Sequence, residues 1–294
     1  MPYFAAAGYD CYAVSLRGQG RSDRKTPAGE PLKVSGDLDS LTDDLAHVVA
    51  GLPRPPVLVA HSFGALLAEK YMTEVARRPA LAGVACVCGV PPTGNKDIVV
   101  RVFKKSLWEA WKITWAFVGK SFARSLDEAR FTFFSPDLPK GDLIRYQQQL
   151  AACSPVRLLD LSALNKARRG QLVVAAHCRV VELKCRCWCS LLVLLQLSPG
   201  CSAPDAVVTG RSQRSAPPYS QVLPLPALPA AAKQVPAFVG GGTTDIVVDW
   251  PAVQETAAWF GVQPAQWQDM AHDCMLDTRW EEAAASLRRW LDDL

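Results

Sequence analysis

Three residues whose types together activate a hydroxyl, Ser62, Asp245 and His272, fall in that order along this chain of 294 residues, each just past a strand-like run. A serine hydroxyl is a weak nucleophile until a neighbouring base takes its proton. A histidine does that when a carboxylate fixes its tautomer and orientation. The chemistry on offer is attack on an acyl carbonyl through a covalent intermediate. Ser62 has the most specific surroundings. The apolar, β-type run Pro56–Ala60 ends in Ala60-His61-Ser62-Phe63-Gly64, and the helix-forming run Ala65–Tyr71 follows at once. Such a strand–turn–helix bends so sharply that the residues two before and two after the serine must be small, as Ala60 and Gly64 are. The backbone N–H of Phe63, at the helix N-terminus, then points at the same space and can bind an oxyanion.

The other two residues sit in comparable places. Val235–Gly242 is an apolar run broken by three glycines and followed by Thr243, Thr244 and Asp245; Gly240, Gly241 and Gly242 read as a turn. His272 lies just past the strand-like segment Ala265–Met270. Asp249 is a fallback for the acid, and Asp273 another if the histidine loop is shifted. His61 adjoins the serine but is expected to point the opposite way at the strand end. His47 lies on a helix packed on the sheet.

The elements that must position these residues alternate. Cys11–Leu16, Pro56–Ala60, Leu81–Cys88, Val235–Val239 and Ala265–Met270 read as strands. Leu38–Leu52, Ala65–Arg77, Ala252–Phe260 and Arg279–Leu294 read as helices, the first with the apolar rhythm Leu38, Leu41, Leu45, Val48, Val49 and Leu52. Strand and helix in alternation imply an α/β fold with a parallel sheet covered on both faces, and a site at the carboxyl ends of its strands.

On these motifs the sequence resembles the α/β-hydrolase superfamily. The matching stretches are Ala60–Gly64, Gly241–Asp245, His272–Asp277 (histidine, aspartate, cysteine, methionine, leucine, aspartate) and Gly8–Ser22, a helix end, a strand and a Gly18-x-Gly20-x-Ser22 loop. The resemblance covers about residues 1–167 and 234–294 and extends to uncharacterised serine hydrolases of plant, algal and bacterial type. It implies an α/β-hydrolase fold with a parallel-dominated sheet, Ser62 as nucleophile, His272 as base and then acid, and Asp245 holding the imidazole. It implies no cofactor and no metal. The substrate class is a small to medium hydrophobic ester or related acyl compound; acyl transfer, thioester cleavage and C–C hydrolysis use the same triad. The rival class is a non-catalytic ligand-binding relative or an inactive fragment.

The resemblance also divides the chain. Residues 1–96 and 234–294 form the two halves of the core, and 97–167, rich in Trp and Phe, a helical lid. Most of those aromatics are expected in ordinary core and a few in an apolar acyl pocket. Residues 1–8 look like the tail of the family's first helix. The strands before it and the His-Gly loop that gives the second oxyanion N–H are expected upstream, so the sequence reads as N-terminally truncated, with any targeting peptide upstream too. An exposed strand edge is the expected consequence.

Residues 168–233 fit neither half. They hold five of the ten cysteines, and eight Lys/Arg against two Asp/Glu, so the chain's net +4 comes from this stretch and does not signal nucleic acid. The segment reads as a low-complexity insert, disordered or a translated retained intron. The alternate spacing of Cys185, Cys187 and Cys189, near Cys178 and His177, is wrong for zinc. The cysteines outside it sit in apolar runs, which suits a reducing compartment such as cytoplasm or plastid. The longest apolar run in the insert, Leu191–Leu195, is too short to span a bilayer. No phosphate-binding or dinucleotide-binding glycine loop is present: Gly240–Gly242 lacks the following Lys-Ser or Lys-Thr, and Gly18-Gln19-Gly20 lacks a third glycine.

Overall fold

The computed structural model describes residues 2–26, 28–153, 156–159, 179–181, 192–197 and 223–294. In chain order the elements are α1 (Pro2–Ala6), β1 (Tyr9–Ser15), β2 (Val34–Gly36), α2 (Leu38–Ala50), β3 (Val57–His61), α3 (Gly64–Thr73) and β4 (Gly83–Val87). Four helices follow: α4 (Lys96–Lys105), α5 (Leu107–Gly119), α6 (Leu126–Phe133) and α7 (Lys140–Ala151). Then come β5 (Arg157–Leu159), β6 (Arg179–Val181), β7 (Leu192–Leu197), β8 (Ala237–Gly242), α8 (Trp250–Phe260), β9 (Ala265–Trp267) and α9 (Trp280–Asp292). The alternation expected from the sequence is therefore present, with element ends shifted by a few residues.

Among the described residues, seven strands form one sheet in the order β6-β1-β7-β3-β4-β8-β9. The pairs β3–β4, β4–β8 and β8–β9 are parallel. Strand β7 is antiparallel to both β1 and β3, so β1 runs the same way as the parallel set. Side chains alternate across the sheet as strand geometry requires. Leu58, Ala60, Val84, Cys86, Leu194 and Val239 face the cluster formed with α2, α3 and α8. Val57, Ala85, Val193 and Leu195 face the other way, onto Leu287 and Leu291 of α9. Both faces are thus apolar and covered.

Two expectations change here. Residues 192–197, inside the stretch expected to be a disordered insert, form a strand in the middle of the sheet, with Val193, Leu194 and Leu195 buried. Leu225 and Ala232 of the same stretch are buried too. Strand β7 fills the place between β1 and β3 and buries apolar side chains on both faces of the sheet, and that burial outweighs the segment's linker-like composition. For the same reason the expected bare edge is absent: β1 is paired with β6 on one side and β7 on the other. The cysteine cluster of Cys178, Cys185, Cys187, Cys189 and Cys201 lies outside the described residues.

Local capping explains the best-formed helix. Asp37 accepts from the Ser40 backbone N–H at 2.8 Å, and Ser40 Oγ accepts from the Asp37 N–H at 3.2 Å, a reciprocal capping box that starts α2. Arg17, just past β1, is fastened by a buried two-point ion pair to Asp44 of α2. Helices α5–α7 build a smaller core of their own, in which Ala116, Phe122, Phe133, Phe134, Leu143 and Leu150 meet Leu276 from the chain's last fifth, whereas Ile98 of α4 packs into the main core.

Candidate active site

Strand β3 ends at His61 and α3 begins at Gly64, so Ser62 and Phe63 make the whole turn. Ser62 has φ +55°, the left-handed region that a side chain occupies at a cost of about 1–3 kcal/mol. Three backbone hydrogen bonds hold it there. Its N–H donates to Val87 O on β4 at 3.3 Å, and its carbonyl accepts from the N–H groups of Ala65 (3.0 Å) and Val90 (3.1 Å). Phe63 caps α3 with no side-chain cap, which leaves first-turn N–H groups without intrahelical acceptors next to the serine.

Strand β8 carries the acid toward it. The three glycines expected in a turn are the last residues of this strand. Gly242 shows why: a Cβ there would stand 2.1 Å from the Met270 carbonyl oxygen, so only glycine lets the histidine loop come this close. The loop is then stitched down. Thr243 N–H donates to Trp267 O (2.9 Å), Thr244 N–H to Met270 O (3.2 Å), and Asp269 N–H to Thr243 Oγ1 (2.8 Å). Past these contacts, Asp245 Oδ1 accepts from the N–H groups of Val247 (2.8 Å) and Val248 (2.9 Å). Oδ2 is left for His272, whose Nδ1 lies 2.8 Å away. His272 Nε2 lies 2.9 Å from Ser62 Oγ. A carboxylate only accepts, so Nδ1 carries the proton, and Nε2 presents its lone pair to the serine hydroxyl. All three side chains are buried.

The helical insertion fastens the histidine loop from the other side. Asp273 N–H donates to Phe133 O at 2.9 Å, and Ala271 N–H donates to Ser135 Oγ at 3.2 Å. Ser135 Oγ in turn donates to Asp277. The Phe133 ring lies 6.1 Å from the His272 ring, centroid to centroid. Residues far apart in the chain therefore fix the imidazole by its backbone and shield it with an aromatic ring.

The sequence matches the Alpha/beta hydrolase family over residues 1–293. The chain belongs to that family. Among solved structures, it is similar in fold to a bromoperoxidase from Bacillus anthracis, with a TM-score of 0.53 at 16% sequence identity, covering 94% of this chain and 79% of that one. No curated protein matches it.

Electrostatics in this alpha/beta hydrolase favour a histidine that can hold a proton. Burial alone pushes the His272 pKa down. The charge of Asp245 and its hydrogen bond, with Asp273 adding, reverse this and hold the pKa above the usual histidine value. Two neighbours, His61 and Asp273, take places other than the sequence suggested. His61 does not point away: its ring is 4.7 Å from the His272 ring, and its Nε2 is 3.0 Å from the His272 carbonyl oxygen. A carbonyl only accepts, so His61 Nε2 carries the hydrogen. Burial pushes His61 down to about 3, with the charge of His272 adding, so the ring is neutral at neutral pH. It braces the backbone of the loop from the serine side. Asp273, the fallback acid, places Oδ1 3.9 Å from His61 Nε2 and is not a hydrogen-bond partner of the His272 nitrogens, which are taken by Ser62 and Asp245. Burial pushes its carboxyl up to about 7. No local sequence pattern marks His61's role, because it depends on a contact across 211 residues; Asp273 acts on the residue beside it, but its burial depends on the fold.

The remaining candidates have structural explanations. Asp249 is not near the imidazole; it caps α8 through the Ala252 N–H and holds Arg101 of α4 in a two-point ion pair at 2.6 Å. His47 stays on α2. His61, Cys88 and His272 each bring one possible metal-ligating atom within 4.8 Å of the others. Because both nitrogens of His272 already have partners, this trio offers fewer than the three protein ligands of a typical catalytic zinc site. Among the described residues, Cys86, Cys88 and Cys274 form no disulfide and are buried.

Proposed function

We propose that this alpha/beta hydrolase is a serine hydrolase that cleaves an ester or related acyl bond of a small to medium hydrophobic substrate without a cofactor. The carrying observation is the continuous relay from Asp245 through His272 to Ser62, at 2.8 and 2.9 Å, with the serine held at φ +55°. In the reaction, Ser62 Oγ bonds to the acyl carbon while its proton passes to His272 Nε2. The Phe63 N–H binds the oxyanion. The imidazolium, stabilised by Asp245, returns the proton to the departing alkoxide, and the alcohol leaves. Water then attacks the acyl-serine by the same steps and releases the acid. Helices α4–α7 serve as the lid: Phe133 lies beside His272 and packs with Phe122 and Phe134 in one buried cluster, which supplies the apolar wall. No helix among the described residues is long and apolar enough to cross a membrane.

A fluorophosphonate probe tests this reading. Covalent labelling of the parent chain and none of Ser62→Ala is the expected result. A folded parent that stays unlabelled sinks it.

A further inference from the structure

Among the described residues, helices α4 and α5 present most of the large exposed apolar side chains. Trp108, Trp111 and Trp115 are 64%, 55% and 50% exposed, and Phe103, Leu107 and Val118 are exposed with them. Positions 108, 111, 115 and 118 share one helical stripe. The three indoles are stacked along it, 5.0 and 6.4 Å apart with planes 19° and 2° from parallel. The opposite side of α5 buries Ala110 and Ala116, the latter in the core shared with α6 and α7, so the stripe faces outward because the helix is already seated. A continuous apolar face of this kind on a soluble fold marks an interaction site.

Charge identifies the occupant. Residues 96–120 carry six Lys/Arg against two Asp/Glu, whereas outside this segment and residues 168–233 acidic residues outnumber basic ones, 24 to 18. Lys104 is exposed at the end of α4, beside Lys105, whose 3.2 Å contact with Glu109 is a surface pair worth little. Protein interfaces are depleted of lysine, whereas indoles flanked by lysines suit the headgroup layer of a membrane, where tryptophan sits at the apolar boundary and lysine meets phosphate. With 13 residues, α5 is about 20 Å long, short of the roughly 30 Å hydrocarbon core, so it lies in the surface and does not span. We infer that the α4–α5 face docks this protein on an anionic lipid surface through Trp108, Trp111 and Trp115, with Lys104 and Lys105 contacting phosphate.

Co-sedimentation with vesicles tests it, independently of whether Ser62 reacts. Vesicles of phosphatidylcholine containing roughly a third phosphatidylserine should retain the full chain at least tenfold better than phosphatidylcholine alone, since each lysine near an anionic surface is worth roughly fivefold in partitioning. Lys104→Gln with Lys105→Gln should weaken retention roughly fivefold per lysine. Trp108→Ser with Trp111→Ser should abolish it while cooperative melting is kept, because both side chains are mostly outside the core. A monodisperse parent that stays in the supernatant overturns the inference. So does retention unchanged in both variants, or a parent of doubled mass that the tryptophan variant returns to monomer, which would assign the face to a second copy.

Discussion

The two halves of the sheet are built on different terms. From β3 to β9 every neighbour is parallel, and Ser62, Asp245 and His272 all lie just beyond carboxyl ends in this half. From β3 back to β6 every neighbour is antiparallel, and none of the three residues lies there. Parallel strands deliver their carboxyl ends to one edge, so residues some 180 positions apart can converge without any local signal between them. The antiparallel half needs only to close hydrogen bonds and supply apolar cover. A strand of either direction does that, which is why a segment from late in the chain can fill the place between β1 and β3.

That contrast can be broken by substitutions on either side. The largest effect is expected in the parallel half. Asp245→Asn should lower kcat on an acyl ester by about 10³–10⁴-fold, because an amide favours the wrong imidazole tautomer. A loss below tenfold would mean that the carboxylate does not serve His272. In the antiparallel half, Leu194→Ala should cost about 2–5 kcal/mol in urea unfolding, since the side chain is fully buried against the α2–α3 face. Activity per folded molecule should keep its pH dependence; a displaced profile would show the halves to be coupled. The smallest effect sharpens the comparison at the site itself. His272 must be neutral to accept the serine proton, so activity falls as pH drops through its pKa, which lies above the usual histidine value. Where its carboxyl is ionised, above about pH 7, Asp273 favours the imidazolium, so Asp273→Asn should move the acid limb of kcat/KM to lower pH, and the shift should fade as pH drops below about 7. A limb that stays put or rises removes Asp273 from the electrostatics of the site.

Much of the parallel half was legible because its signals are local. The Ala60–Gly64 turn sits between a strand and a helix that each read from a short window, and Asp245 and His272 each follow an apolar run. The structure brings the three together as the order suggested. What was not legible depends on distant partners. Leu192–Leu197 looks like part of a low-complexity stretch until β1 and β3 are seen on either side of it. Gly240–Gly242 resemble a turn unless the approach of Met270 is known. His61 was expected to point away, yet its ring meets the backbone of a loop 211 residues later. The aromatic-rich segment likewise splits in a way composition does not show: Phe122, Phe133 and Phe134 are buried, while Trp108, Trp111 and Trp115 face outward.

The position of β7 also sets a clock on the protein's synthesis. Its partners β1 and β3 are complete by residue 61, but their shared neighbour ends at residue 197. At about 5–20 residues per second, the ribosome needs roughly 7–27 s to make the intervening chain. Throughout that interval the nascent protein carries two apolar strands with open sides, and binders that shield such edges have their longest opportunity before the last third of the chain has emerged.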